Sequence, residues 1–252
     1  MSRKVLCLMM AIIVITTVCV FSYLASAAPQ DKGNDRVLSK IKFIHYKTPP
    51  GKPPGTLGGK PDGKDEGYYT YMAKGAKWKT TEVFLLNCAN GDGVNETAIQ
   101  AAVSNGMDEW ETPGKASFAI FGALALDPTA SYEDGPEPQE NNTISFRPFG
   151  NPNVIAQAIV WGRFGGPLSQ REIIEAHIEM NDDFVWGNAD IDNTLMDVQN
   201  IVTHELGHCA GMGDLYQSGA ILETMYGYSD EGETNKRDLY KGDIAGIMNL
   251  YQ

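Results

Sequence analysis

From residue 80 to residue 181 the apolar positions fall into short runs broken by Gly, Pro and Asn, and two later stretches carry apolar residues three and four apart. TTEVFLLN (80–87) reads as a strand, and SFAIFGALAL (117–126) as an apolar strand. TISFRPF (143–149) and NVIAQAIVWG (153–162) read as shorter strands, and EIIEAHIEMN (172–181) alternates in its second half. Residues 94–111 read as a helix, with Val94, Ala98, Ala101, Ala102 and Trp110 near one face and Asn95 placed to cap it. A second helix is predicted over about 195–210, with Thr194 and Asp197 in a capping-box pattern and Gly211 where it should stop. Val198, Ile201, Val202, Leu206 and Cys209 form its apolar stripe. A third helix covers about 240–251, with Ile244, Ile247, Met248 and Tyr251 on one face. Strands and helices mix without strict alternation, which favours an α+β layer fold, a twisted sheet with helices packed on it.

The N-terminal part follows a different pattern. Arg3 and Lys4 precede an apolar run from Val5 to Leu24 and a small-residue stretch ASAAPQ, the composition of a secretory signal over residues 1–27. The run is also long enough to span a bilayer, so an uncleaved membrane anchor is the alternative. Either way the remainder is expected to be exported, as a secreted protein in the first case. Residues 28–47 are short and mixed, and in TPPGKPPGTLGGKPDGKDEG (48–67) eleven of 20 residues are Gly or Pro. Residues 28–67 are therefore expected to be a short N-terminal segment and linker, and 68–252 the folded domain. Without residues 1–27, 18 basic residues face 32 acidic ones, a net charge of −14. Such a surface repels nucleic acid and anionic membranes, so neither is an expected partner. Two cysteines then remain, Cys88 and Cys209, which leaves one disulfide or two lone thiols open.

The chemistry concentrates in HELGHCAGMGD, residues 204–214. A spacing of four on a helix puts His204 and His208 on one face, one turn apart, where both can bind one zinc ion. Glu205 lies about 100° round the helix and can reach a water on the metal as general base. Gly211 can adopt positive φ and turn the chain sharply out of the helix, which brings Asp214 back towards the metal as third ligand.

HELGHCAGMGD resembles the extended zinc motif of the metzincin metallopeptidases, with Asp in the position of the third His, as in the snapalysin group. TMYGYS (224–229) resembles the Met-turn of matrixins, which implies Met225 beneath the metal and Tyr226 beside it, with Gly227 where matrixins usually have Pro. LYKGDIAGIMNLYQ (239–252) resembles the matrixin C-terminal helix, which implies that Asp243 is a buried acid bracing the Met-turn. Upstream, YYTYMAKGAKWKTTEVFLLN resembles the start of a matrixin catalytic domain, NVIAQAIVWG its substrate-pairing edge strand and HIEMNDDFVW the strand before the active-site helix. The resemblance covers nearly all of 68–252. It implies a secreted monomeric zinc endopeptidase acting on proteins or peptides, with one catalytic zinc.

Other features fit that family less well. Outside the motif the only histidines are His45 and His177, too few for the second, structural zinc of many matrixins, and His177 reads as a satisfied strand histidine. No cysteine stands between the signal and residue 68, so a cysteine-based latency device is not expected. Tyr228 stands three residues after Met225, one further than the tyrosine ligand of some metzincins. NADIDN (188–193) is open to calcium but reads better as an acidic turn. The rival reading is an exported binding protein that keeps the metal structurally. Glu205 argues against it, because a closed structural site needs no base.

Overall fold

The computed structural model describes residues 37–48, 67–114 and 119–252, all within one unit spanning 34–252. The secretory-signal reading of 1–27 and most of the Gly/Pro-rich stretch lie outside the described residues. Among the described residues no helix is long and apolar enough to cross a membrane. In chain order the main elements are β1 (Leu38–Lys47), β2 (Glu82–Leu86), α1 (Glu96–Gly114), β3 (Phe121–Leu126), β4 (Asn142–Arg147), β5 (Val154–Arg163), β6 (Glu172–Asn181), β7 (Trp186–Gly187), β8 (Met196–Asp197), α2 (Val198–Cys209), β9 (Tyr228–Ser229) and α3 (Lys241–Tyr251).

Seven of these strands form a mixed sheet in the order β3-β2-β4-β6-β5-β1-β9, an α+β arrangement. The run from β3 to β6 is parallel, whereas β5 is antiparallel to β6. Nine of the ten residues of β5 are buried, because the helices cover one of its faces and neighbouring strands flank both edges. α1 and α2 pack against each other through Trp110, whose indole Nε1 donates to the Thr203 carbonyl at 2.8 Å. The apolar stripe of α2 is wholly buried, as its spacing requires.

Three sequence expectations need correction. First, residues 38–47 are not an element-free lead-in. They form β1, which pairs with β5 along its length, antiparallel, and with β9, parallel. The alternation Lys40-Ile41-Lys42-Phe43 carries the strand, and the lysine-rich composition masks it. The boundary drawn at residue 68 therefore separates a strand from the sheet that contains it. Second, Thr194 does not cap α2. Residues 196–197 pair with 186–187 as β8 and β7, so the helix starts later. Asp197 is the cap, accepting from the Asn200 backbone at 2.8 Å. Third, Ile244 and Met248 lie on the outer side of α3, 37% and 38% exposed. Gly242, Gly246, Ile247, Leu250 and Tyr251 face inward instead. A side chain at Gly242 or Gly246 would collide with Tyr68 or Tyr69, so this helix is seated by close backbone approach at these glycines together with the apolar residues Ile247, Leu250 and Tyr251.

Cys88 and Cys209 are not joined. Burial pushes the Cys209 thiol well above its ordinary value, which makes it unreactive.

Candidate active site

Helix α2 delivers His204 and His208 to one place, their rings 4.9 Å apart and nearly perpendicular. Both are buried. Each donates its Nδ1–H to a backbone carbonyl, since a carbonyl can only accept. His204 bonds Thr224 O at 2.7 Å and His208 bonds Met212 O at 3.1 Å. The Nε2 lone pairs are thereby left free and both point at one oxygen: Asp214 Oδ1 is 3.3 Å from each.

Asp214 is held there by the loop around it. Gly211 turns out of α2 at φ +109°, a region closed to most side chains, and a Cβ there would also meet the Ala76 carbonyl at 2.8 Å. The turned chain is then stitched on both sides. Met72 N donates to Gly211 O and Gly213 N to Thr70 O on one side. Leu215 N donates to Met225 O and Gly227 N to Leu215 O on the other. Sequence spacing indicated the turn, and these four bonds fix where it arrives.

The three side chains place one ligand atom each within 4.8 Å of one another. Neither His204 Nε2 nor Asp214 Oδ1 has a hydrogen-bond partner, although both are buried. Two imidazole nitrogens and a carboxylate oxygen converging in this way, one of the nitrogens and the oxygen orphaned, fit a divalent ion such as zinc. Charge agrees with the geometry. Burial works against the Asp214 carboxylate, yet the two imidazoles overcome it and hold the carboxyl well below the usual range.

Glu205 follows His204 on the helix and is fully buried. Burial pushes its carboxyl up to about 8, with His208 opposing the shift. Its Oε1 lies 3.0 Å from Nδ1 of His45, a residue of β1 that sequence reasoning set aside. The His45 ring leans on that of His204, centroids 4.0 Å apart. Two residues earlier, Phe43 stacks flat on His208, with centroids at 3.9 Å and planes at 9°. His45 Nε2 is buried and has no partner. The alternation of Ile41, Phe43 and His45 was the available signal for these contacts.

Against α2, beside Gly207, lies Met225, fully buried. Gly207 makes room for it, because a Cβ there would collide with Met225 Sδ and come within 2.6 Å of the Trp110 ring. The backbone of this segment bonds to Asp243. Its Oδ2 accepts from Thr224 N at 2.6 Å and its Oδ1 from Met225 N at 3.2 Å. Glu223, not anticipated, accepts from Tyr68 N and Gly242 N and so ties the start of the main domain segment to α3. Burial, with Glu223 adding to it, raises the Asp243 carboxyl. Tyr226 is nearly buried, and its ring packs edge-on against Tyr228, which also meets Tyr216 in the same manner.

Two other sequence candidates have structural partners. His177 is fully buried, with Nε2 2.7 Å from Glu175 and Nδ1 2.8 Å from the Thr143 hydroxyl. In the 188–193 turn, Asn188 and Asp190 accept from Arg237, whose guanidinium also binds Asp197. An arginine thus supplies the positive charge there.

Comparison with known proteins agrees with this geometry. Residues 77–252 match the family model described as Peptidase_M10, Matrixin. The chain is similar to Metalloendoproteinase 1-MMP of Arabidopsis thaliana, 36% identical over 70 residues, which is 28% of this chain and 17% of that protein. It is also similar to Metalloendoproteinase 5-MMP of the same plant, 30% identical over 81 residues, 30% of this chain and 21% of that protein. The matched stretches span about a fifth of the length of these curated relatives. With a family model covering most of its length and a two-histidine, one-carboxylate cluster converging from α2 and the loop that follows it, the chain belongs to the matrixin family of peptidases.

Proposed function

We propose that this protein is an exported zinc-dependent endopeptidase, with zinc held by His204, His208 and Asp214 and with Glu205 as general base and acid. The observation that carries the reading is the convergence of two free imidazole nitrogens on one buried, unpaired carboxylate oxygen, with a further carboxylate beside them. The family and the printed names of its plant relatives support it. In this reading α2 is the active-site helix and residues 224–229 are the Met-turn.

Zinc supplies Lewis-acid polarisation of the scissile carbonyl and of the attacking water. The residues of the chain do the rest. Thr224 and Met212 carbonyls fix the two imidazoles in the tautomer that offers Nε2. Asp214, charged and close to both rings, lowers the net charge of the site relative to three imidazoles. Glu205 takes a proton from water on a carboxylate oxygen and later delivers it to the leaving amine. Its burial raises its proton affinity above that of an exposed carboxylate.

The test is digestion of a peptide library by the zinc-loaded full chain, with and without chelator, beside Glu205→Ala. The expected result is cleavage that is abolished by chelator and reduced roughly 10²–10⁴-fold in the variant. Cleavage at the parental rate by Glu205→Ala would contradict the assigned base. Zinc bound tightly with no peptide cleaved under any condition would favour the non-proteolytic binding protein.

A further inference from the structure

We infer that Asn95 is the acceptor of an N-linked glycan, in the sequon Asn95-Glu96-Thr97, and that the second sequon, Asn141-Asn142-Thr143, carries none. The inference rests on the export reading above and on nothing in the metal cluster. The group taken up is an oligosaccharide, delivered from a lipid-diphosphate donor.

Both tripeptides meet the chemical requirement, Asn followed two residues later by Thr with no Pro between them. The fold separates them. Asn95, Glu96 and Thr97 are all exposed, as a bulky, water-seeking sugar chain requires. Asn95 stands immediately before α1, and its Oδ1 accepts from Thr97 N at 2.8 Å. That bond closes an Asx-turn, which holds the amide beside the residue that carries the hydroxyl. The Asn95 carbonyl accepts from Ala98 N at 2.9 Å and Ile99 N at 3.1 Å, so backbone bonds hold the first helical turn. Nδ2 of Asn95 takes no part in these bonds. The preceding turn is exposed, and a side chain placed at Gly93 would meet nothing within 4 Å.

The transfer fits this geometry. Asn95 Nδ2 forms a bond to C1 of the first sugar, and the bond from C1 to the diphosphate oxygen breaks. The lipid diphosphate leaves with the electron pair, and one amide proton goes to a base of the transferase. The product is a secondary amide that keeps Oδ1 as an acceptor. The bond to Thr97 N therefore survives, and α1 loses no cap.

The second sequon is committed to the sheet. It leads into β4, which lies between β2 and β6. Asn141 Oδ1 is buried, and its backbone N donates to Glu175 Oε2 at 3.2 Å. Asn142 Nδ2 donates to the Val83 carbonyl at 3.0 Å, and its Oδ1 accepts from Ala176 N at 2.9 Å. Thr143 is fully buried, its hydroxyl 2.8 Å from Nδ1 of His177. A sugar chain on Asn141 would hold open the entry of β4 that these bonds close. Chains modified there are expected to fold poorly and to be missing from the secreted protein.

The full chain, with its own residues 1–27, is expressed in cultured eukaryotic cells, and medium and cell lysate are assayed separately. Intact mass is measured before and after peptide-N-glycosidase treatment, and peptide mapping locates the asparagine that the treatment converts to acid. Asn95→Gln, Thr97→Ala and Asn141→Gln accompany the parent. Thr97→Ala deletes the sequon and keeps the Asn95 cap, which covers the case in which Asn95→Gln folds poorly. The secreted parent is expected to carry one glycan, on Asn95, lost in Asn95→Gln and in Thr97→Ala and kept in Asn141→Gln. A secreted parent without sugar, or with sugar on Asn141, overturns the inference and leaves the export reading standing. A chain found only in the lysate, unmodified, rejects the export reading, and the assignment of Asn95 falls with it.

Discussion

Gly207 and Met225 occupy one another's space: a single Cβ on the glycine would collide with the methionine sulfur. The contact joins the helix that carries both histidines to the segment whose Thr224 carbonyl orients His204. Trp110 closes the same spot from the other side. Gly207→Ala is therefore an overpacking change in a filled core, expected to cost about 1–3 kcal/mol. It should also weaken zinc binding, because relief requires α2 or the 224–225 segment to move. Thermal unfolding and zinc titration of the variant check both effects, and a variant with parental values for both would show that the packing there is loose.

Asp243 predicts a pH dependence. Burial and the neighbouring Glu223 raise its carboxyl above the ordinary value of 3.8. The folded chain then binds more protons than the unfolded one within that window. The Asp243 contribution is fully present below 3.8 and is lost as pH rises through the raised value. Asp243→Asn removes this titration, so its denaturation free energy should vary less with pH across the window than that of the parent. The variant should also be less stable by about 1–3 kcal/mol, because an amide nitrogen cannot accept from the Thr224, Met225 and Tyr240 backbone. Urea denaturation at several pH values, parent beside variant, measures the slope and the offset together.

Lys236 is a buried cation with a stated job. Its Nζ donates to Tyr228 O at 2.8 Å and to Ser229 Oγ at 2.7 Å, the two residues of β9. Lys236→Met keeps much of the volume but leaves those acceptors without a donor, an expected loss of about 1–3 kcal/mol. Since β9 pairs with β1, hydrogen exchange at Tyr46 and Lys47 should also speed up. Unchanged exchange at those amides would separate the lysine from the strand pairing.

That His204, His208 and Asp214 come together was legible in the sequence, because their spacing is local. His204, Glu205 and His208 lie within one helical turn and a half, and Gly211 announces the reversal that returns Asp214. The roles expected of Met225 and Asp243 came only with the family resemblance, whereas the Asp243 carboxylate is seen to accept from the Thr224 and Met225 backbone. What could not be read depends on distant pairing. His45 meets Glu205 across 160 positions, and its strand is disguised by lysines on the outward face. Glu223 acts through backbone amides of Tyr68 and Gly242, which carry no side-chain signal. On α3 the apolar pattern pointed to Ile244 and Met248, and close backbone approach at Gly242 and Gly246 turned that face outward.

The central claim is that Asp214 completes the metal site, and zinc titration of three chains tests it most directly. The parent should hold about one zinc per chain, since one three-residue cluster supplies the ligands. Asp214→His should bind zinc as well, because an imidazole from the same turn can take the carboxylate's place. Asp214→Ala should lose most of the affinity, by 10-fold or more, with fold retained by circular dichroism. Asp214→Ala holding a full equivalent of zinc with parental affinity would contradict the account and leave Asp214 a turn residue.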